Sequence, residues 1–433
     1  MVGPQSRSMR RVRSGARVFG VVAALAALGV TTACSGSGAT WQAAGVAGGP
    51  SSSAPTPSEL TVSLAADATN VSPADPVTVS ISNGSLQSVT LTNADGKAVN
   101  GDFDAAKSTW KNSEVLGYNK TYTLTVSGLG TDGKQQTTTR TFTTLKPKNM
   151  TLPYLRANVG TLLNGGTFGV GQPVTVWFDE PITDKAAAER TLSVTTDPPG
   201  VVGGWYWMDS HEVHWRPQQY WTPGTKVTVK AAVYGKDLGG GLYGQEDESA
   251  TFTIGHSHIA IADHDTKMMK VYIDGAQVTN VAGHDVTAGI PISMGKGGHE
   301  VQPSGVDVNF STNSGPHVVT LKYDVYRMTS ASFGITDPKS KNFYDTNIKK
   351  AIRISGDGEF VHLADWNIPQ QGHTNTSHGC INVAPTYINW FYDIFGAGDV
   401  VDITNTGKQL DKRNGLGDWV VPWADWLKGS ALA

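Results

Sequence analysis

A strand vocabulary that is used twice dictates the front half of this chain. Pro76-Val77-Thr78-Val79 returns as Pro173-Val174-Thr175-Val176, and Thr141-Phe142-Thr143 returns as Thr251-Phe252-Thr253. Alternating β-branched or aromatic residues with polar ones suit strands that bury one face. An opening and a closing strand that recur about 100 residues apart, the size of one small β-sandwich, predict two sandwiches in tandem. We place them at 59–147 and 148–255. Within the first, Ser88-Val89-Thr90-Leu91-Thr92 and Thr121 to Val126 are further strand words, and Asn83-Gly84 and Asp95-Gly96 are expected to close hairpin turns. Neither copy gathers a convergent set of catalytic residues, so spacing and presentation are their expected role. Asp237, Glu246 and Asp247 could attract a hard cation, but a solvated acidic turn is the simpler expectation, and no metal site is assigned.

The N-terminus reads as a targeting signal. Arg7, Arg10, Arg11, Arg13 and Arg17 precede an apolar run from Phe19 to Val30 that is too short for a comfortable membrane span. Thr31-Thr32-Ala33-Cys34 then resembles a lipoprotein signal, with Thr31 standing where such signals carry Leu. Residues 1–34 are therefore expected to export the chain and Cys34 to be lipidated, anchoring it to the cell membrane and facing it to the wall. An ordinary cleaved secretory signal is the alternative. Residues 35–58, rich in Gly, Ser, Ala and Pro, form a flexible tether. The net charge of −3, with no dense basic patch beyond the N-terminus, argues against a nucleic-acid partner. The sequence holds two cysteines, Cys34 and Cys380. With Cys34 capped, Cys380 is left as a lone thiol in an oxidising compartment, a liability unless it is used.

From 256 to 405 the strands continue (Met269, Val271 and Ile273 alternate, and Val318-Val319-Thr320-Leu321 runs unbroken), but histidines and glycines thicken. His256-Ser257-His258 lacks companions at metal-ligand spacing and reads as a domain-junction strand. In the tail, 406–433, Trp419, Trp423 and Trp426 recur at helical spacing, which predicts an apolar helix face docked on an earlier domain.

The chemistry concentrates in Thr376-Ser377-His378-Gly379-Cys380-Ile381-Asn382. A thiolate is the nucleophile in thiol catalysis, an imidazole can take its proton, and glycine permits close approach of the backbone. Main-chain amides at the cysteine can then meet an oxyanion. Residue spacing leaves the base open. His378 lies two residues from Cys380, on the same side of an extended segment, and nothing in spacing promotes the more distant His362.

Gly358-Glu359-Phe360-Val361-His362 followed by Ser377-His378-Gly379-Cys380-Ile381-Asn382 resembles the signature of the YkuD-type L,D-transpeptidases. Ser293-Met294-Gly295-Lys296, Asn389-Trp390-Phe391-Tyr392-Asp393 and Gly415-Leu416-Gly417-Asp418-Trp419 extend the likeness to mycobacterial members with paired immunoglobulin-like domains. The resemblance implies a mainly β fold: two immunoglobulin-like β-sandwich domains, a mixed, mainly β YkuD-type catalytic domain and a short Trp-rich helical tail. It implies Cys380 as nucleophile and His362 as general base, its ring oriented by the carbonyl of Leu363, where close relatives carry Ser. His378, Gly379 and Cys380 would supply the oxyanion hole, with Ser377 in the same loop. Asn382 would bind substrate or buttress the loop, and Tyr344 would cap the cleft. Phe333 stands where relatives carry Tyr, and Met328, Asp357 and Gly358 fall at pocket positions. A mobile lid is implied between about Pro303 and Tyr344. The activity implied is a peptidoglycan acyl transfer without a cofactor: a thioester on Cys380, release of D-Ala, and transfer to a diamino-acid amine on a neighbouring stem as a 3→3 cross-link. Carbapenems would be inhibitors. An L,D-carboxypeptidase, or a non-catalytic wall-binding lipoprotein, is the alternative.

Overall fold

A computed structural model describes residues 56–433. The signal segment with Cys34, and all but the last residues of the 35–58 tether, lie outside the described residues.

In the first sandwich, Tyr122, Leu124 and Val126 point inward from Thr121–Gly130 while their neighbours stay nearer the surface, the period-two burial expected of a half-buried strand. They share one core with Val79, Ile81 and Trp110 of the facing sheet. That sheet runs Glu59–Val62, Thr78–Ser82, Thr109–Asn112, Gly101–Phe103, and its partner runs Ala68–Val71, Gln135–Thr144, Thr121–Gly130, Gly84–Asn93. The second sandwich repeats this order. One sheet holds Pro153–Asn158, Val174–Phe178, Glu212–Pro217 and Gly203–Trp207, with Thr161–Leu162 added at its edge. The other holds Thr167–Phe168, Glu248–Ile254, Lys226–Ala231 and Leu192–Asp197. In both copies the closing strand takes a short parallel neighbour, Ala68 opposite Phe142 and Phe168 opposite Ile254. The echoed strand words therefore occupy equivalent places in two like sandwiches.

One expected turn is not a hairpin. Thr78–Ser82 and Gly84–Asn93 belong to opposite sheets, so at Asn83 (φ 49°) the chain crosses the sandwich instead of folding back. Gly84 is needed there for space, since a Cβ would lie 2.6 Å from the Leu129 carbonyl oxygen. Asp95-Gly96 does close a tight turn, with the Gly96 N–H donating to the Asn93 carbonyl at 3.0 Å. The acidic turn is occupied by its own backbone: Asp237 accepts from the Gly239 amide at 2.9 Å and Asp247 from the Tyr234 amide at 2.7 Å.

The third part is built on a ten-stranded mixed sheet, in whose middle Ile290–Ser293, Ile381–Val383, Phe360–Leu363 and Asp345–Arg353 lie side by side. The helix Pro385–Ile394 buries Ile388 and Phe391 against it. Main chain meets main chain where this part joins the second sandwich. The Gly171 amide donates to the Gly398 carbonyl at 2.8 Å, and a Cβ on Gly398 would lie 2.5 Å from the Gly169 nitrogen. The stretch expected as a lid is divided. Gly315–Val318 and Leu321–Thr329 are strands of the main sheet, and the rest reaches the cysteine loop through Phe310, Phe333 and Tyr344 around His378.

The tail tryptophans do not share one helix. Pro422, lacking the N–H that continuation needs, separates a 3₁₀ turn at Asp418–Val420 from one α-turn at Trp423–Trp426. They still converge on one side chain. The Arg216 guanidinium lies 4.6, 5.4 and 4.6 Å from the rings of Trp419, Trp423 and Trp426. Trp426 is fully buried, stacks on Tyr206 at 4.8 Å and donates its indole N–H to the Gly204 carbonyl at 2.8 Å. Beside it, His214 Nδ1 lies 2.7 Å from Asp418 Oδ1. Burial alone would discharge His214, but Asp418 and Glu212 overcome it and lift its pKa to about 10.

Replacing a buried tryptophan by alanine removes its packing and leaves a cavity, at a cost of about 3–5 kcal/mol. Trp426→Ala should therefore lower the thermal midpoint of the exported chain clearly more than Trp423→Ala, whose ring is only half-buried. Equal losses in a scanning-calorimetry comparison would show that Trp426 is not the anchor.

Candidate active site

Two adjacent parallel strands position the reactive side chains. Phe360–Leu363 pairs in register with Ile381–Val383, setting Val361 opposite Ile381 and His362 opposite Asn382. Val361 and Ile381 are fully buried in the main core. Alternation therefore turns Phe360, His362, Cys380 and Asn382 to the other face. There Cys380 packs with Phe360, Met328 and Ile348 at the floor of a cleft of about 460 Å³.

The cysteine loop is stitched to Ser293–Lys296. Ser377 donates its amide to the Met294 carbonyl at 3.0 Å and accepts from the Lys296 amide at 2.9 Å. Ser293 Oγ donates to the Thr374 carbonyl at 2.8 Å, and Ser377 Oγ to the Cys380 carbonyl at 2.6 Å. Gly295 is the close-approach point, for a Cβ there would lie 2.3 Å from the Phe310 carbonyl oxygen. Gly379 sits at φ 141°, a conformation that an L side chain resists.

Of the residues singled out in the sequence, Met328, Tyr344, His362, Ser377, His378, Cys380 and Asn382 line the cleft. Phe333 stands behind it, its ring 6.4 Å from that of His378. Asp357 is exposed outside the cleft, while the neighbouring Gly358 carbonyl receives the Cys380 thiol at 3.8 Å. Gly379, expected among the oxyanion donors, has its N–H turned to Ser377 Oγ at 3.1 Å, so that amide is spent inside the loop. His378 faces Lys296 and Asn342, its Nε2 3.4 Å from each. Thr346, Ile348, Trp366, Asn367 and Gln370 also line the cleft and escaped the sequence reading. Trp366 stacks on His362 at 5.9 Å while more than half exposed, and Asn367 donates to Thr376 Oγ1 at 3.1 Å. A lone tryptophan in the polar run Asp365-Trp366-Asn367 was the available signal for Trp366.

His362 Nδ1 lies 2.9 Å from the Leu363 carbonyl oxygen. A carbonyl only accepts, so Nδ1 carries the hydrogen and Nε2 is left as the basic nitrogen. Burial holds the His362 pKa down to about 4, with the Leu363 carbonyl opposing only in part. Burial also pushes the Cys380 thiol up to about 12, the Phe360 amide opposing and the Glu359 and Asp357 charges adding to it. His378 is likewise held down to about 4, first by burial and then by Lys296. Burial thus favours the neutral form of both Cys380 and His362. Among the described residues no cluster of His, Cys, Asp or Glu is arranged to hold a metal ion, and no helix is long and apolar enough to cross a membrane.

A second cleft, of about 580 Å³, lies between the second sandwich and the catalytic sheet and is lined by Arg156, Glu212, His214, Arg353 and Lys412. It is the larger, but it contains no cysteine, and the thiol decides between the two.

Residues 257–403 match the family model described as an L,D-transpeptidase catalytic domain, and 68–237 match a bacterial Ig domain. The chain is 40% identical to L,D-transpeptidase 2 of Mycobacterium tuberculosis, over 87% of this chain and 85% of that protein. It is 35% identical to L,D-transpeptidase 5 of the same species, over 86% of this chain and 77% of that one. Among solved structures, L,D-transpeptidase 3 from Mycobacterium tuberculosis with a faropenem-derived adduct aligns at 28% identity and a TM-score of 0.45, over 58% of this chain and 98% of that one. With near full-length similarity to the first two, the chain belongs to the L,D-transpeptidase family.

Proposed function

We propose that Cys380 attacks the carbonyl of the third residue of a tetrapeptide stem, expels the terminal D-Ala and holds the acyl group as a thioester. A side-chain amine of a diamino acid on a neighbouring stem then resolves it as a 3→3 cross-link. The observation that carries this reading is that Cys380 and His362, set on adjacent strands in register, line one cleft with Nε2 as the basic nitrogen of His362, while burial pushes the thiol up to about 12 and the imidazole down to about 4. A resting ion pair is disfavoured, so proton transfer accompanies attack. The S–H proton passes to His362 Nε2 as the S–C bond forms, and His362 returns it to the departing D-Ala amine as the C–N bond breaks. In the second half the acceptor amine gives a proton to His362, which restores it to sulfur when the thioester opens. The thiol must first turn from the Gly358 carbonyl toward the base, an adjustment compatible with apo geometry at catalytic sites.

With the Gly379 amide engaged by Ser377, we assign the oxyanion to the amides of Cys380 and His378. His378 in this reading shapes the wall of the site together with Phe333 and Tyr344, and Asn382 and Met328 contact substrate. The two sandwiches space the catalytic domain from a membrane to which Cys34 is lipid-anchored. Carbapenems, as acyl donors resembling the stem, would acylate Cys380.

The assignment of the base has a pH signature. A base with a pKa near 4 stays competent until pH falls through that value, and a thiol near 12 adds little free thiolate at neutral pH. Single-turnover acylation by imipenem, read by intact mass, should therefore be nearly flat from weakly acidic to weakly alkaline pH. His362→Ala should slow it by about 10²–10⁴-fold and make the residual rate climb with pH, since only pre-formed thiolate remains. His378→Ala should slow it without that climb, and Cys380→Ala should carry no adduct. A climbing profile in His378→Ala with a flat one in His362→Ala would assign the base to His378.

For the anchor, Cys34→Ala should move the protein from the membrane fraction to the soluble one while leaving imipenem acylation intact. Retention at the membrane in that variant would refute lipidation at Cys34.

A further inference from the structure

The thiol of Cys380 touches a turn that is held from far along the chain. Ser355–Glu359 leaves the strand Asp345–Arg353 and returns to Phe360, and three of its groups bear on the sulfur. The Gly358 carbonyl receives the S–H at 3.8 Å, and the Asp357 and Glu359 carboxylates both bear on its charge. His362 and Tyr344 line the same cleft, and burial, with a smaller contribution from Cys380, resists ionisation of the Tyr344 hydroxyl.

Glu359 is fixed by the catalytic sheet. The Asn313 amide donates to it at 2.8 Å and His317 Nε2 lies 3.2 Å away. The tip of the turn is fixed differently. Ser355 Oγ donates to Asp357 and Arg353 grips the Ser355 and Gly356 carbonyls at 2.9 and 2.7 Å, all within the turn itself. From outside the turn, Asn313 Nδ2 donates to the Asp357 carboxylate at 3.4 Å, and Asn414 Oδ1 accepts the Asp357 amide at 2.8 Å, the one bond to the main chain of the tip from the tail. The backbones of the turn and the tail touch beside it, since a Cβ on Gly356 would lie 2.9 Å from the Gly415 nitrogen. Asn414 itself sits on a span tied at both ends. The Leu410 amide donates to the Ser314 carbonyl at 2.8 Å, and Asp418 meets His214 of the second sandwich at 2.7 Å. An amide side chain accepting the Asp357 N–H fixes the plane of the Gly356–Asp357 peptide, from which the chain reaches the Gly358 carbonyl that faces sulfur two peptides later.

We propose that Asn414 is a positioning residue for acyl transfer, holding the Asp357 amide so that the turn keeps the Gly358 carbonyl in place against the Cys380 thiol. The proposal rests on Cys380 as the nucleophile. It makes the tail, and through Asp418 the second sandwich, part of the framework of the active site. A turn that has lost this support admits water to the sulfur, which eases ionisation of the thiol while spoiling its aim.

The test compares wild type, Asn414→Ala and Asn414→Asp in the whole chain by two readouts. The first is the pH profile of Cys380 alkylation by iodoacetamide, and the second is single-turnover acylation by imipenem. Asn414→Ala should alkylate with its midpoint moved to lower pH yet acylate about 10–100-fold more slowly, the scale of a misplacement of about 1 Å. Asn414→Asp, which keeps an acceptor for the Asp357 amide, should recover most of the acylation rate. Should Asn414→Ala fail to fold, Asn414→Ser, too short to reach that amide, carries the same comparison. An Asn414→Ala chain with wild-type acylation and an unmoved alkylation profile overturns the proposal, as does an Asn414→Asp chain equally impaired. Alkylation needs no catalysis, so a wild type that alkylates at Cys380 but is never acylated counts against the nucleophile and not against Asn414.

Discussion

The parallel pairing of Phe360–Leu363 with Ile381–Val383 is the constraint on which the rest of the site depends. Parallel neighbours cannot be joined by a tight turn, and a crossover must carry the chain back to the start of the next strand. In this chain the crossover is the 364–380 loop, and its return delivers Cys380 beside the strand that bears His362. Because the two strands are in register and bury Val361 and Ile381 on one face, the reactive pair is committed to the other face without any contact of its own. A slip of one residue would send His362 into the core. The register is guarded from outside by the bonds between the loop and Ser293–Lys296, so the central strands and the cysteine loop form one cooperative unit.

Burial then sets the chemistry. The same desolvation that raises the thiol lowers the imidazole, and it acts on both because both sit under one wall of apolar side chains. A neutral thiol is the less reactive but also the less easily oxidised form, which suits a cysteine without a disulfide partner. In the mechanism proposed above a base must then act during attack, and the Leu363 carbonyl leaves Nε2 as the basic nitrogen of His362. The position after the histidine tolerates Leu in place of Ser because the contact comes from the main chain.

Much of this was legible in the residues. The echoed Pro-Val-Thr-Val and Thr-Phe-Thr words report the sandwiches because edge-to-core alternation has a period that any reader can count. The Ser377–Asn382 motif points to the candidate site through its resemblance, together with Gly358–His362, to the L,D-transpeptidase signature, since His, Gly and Cys in one loop are by themselves a weak signal. What escaped has a common cause. Asn83-Gly84 has the composition of a hairpin, but the partner of each flanking strand is set by distant residues, and the chain crosses to the other sheet. The three tail tryptophans keep helical spacing, yet Pro422 breaks the helix and Arg216, far upstream, gathers the rings. The lid was drawn as one segment, whereas strand pairing with Asp345–Arg353 claims its middle. Trp366 and Asn414 carry no local signature, since their contacts with His362 and Asp357 exist only in the folded chain.

The central claim is that Cys380 and His362 rest as a neutral pair, and the ultraviolet absorbance of the thiolate reports on it directly. The difference spectrum between wild type and Cys380→Ala should show no thiolate near neutral pH and should develop one only in the strongly alkaline range. A thiolate signal already present near neutral pH, and lost in His362→Ala, would show a resting ion pair and contradict the account.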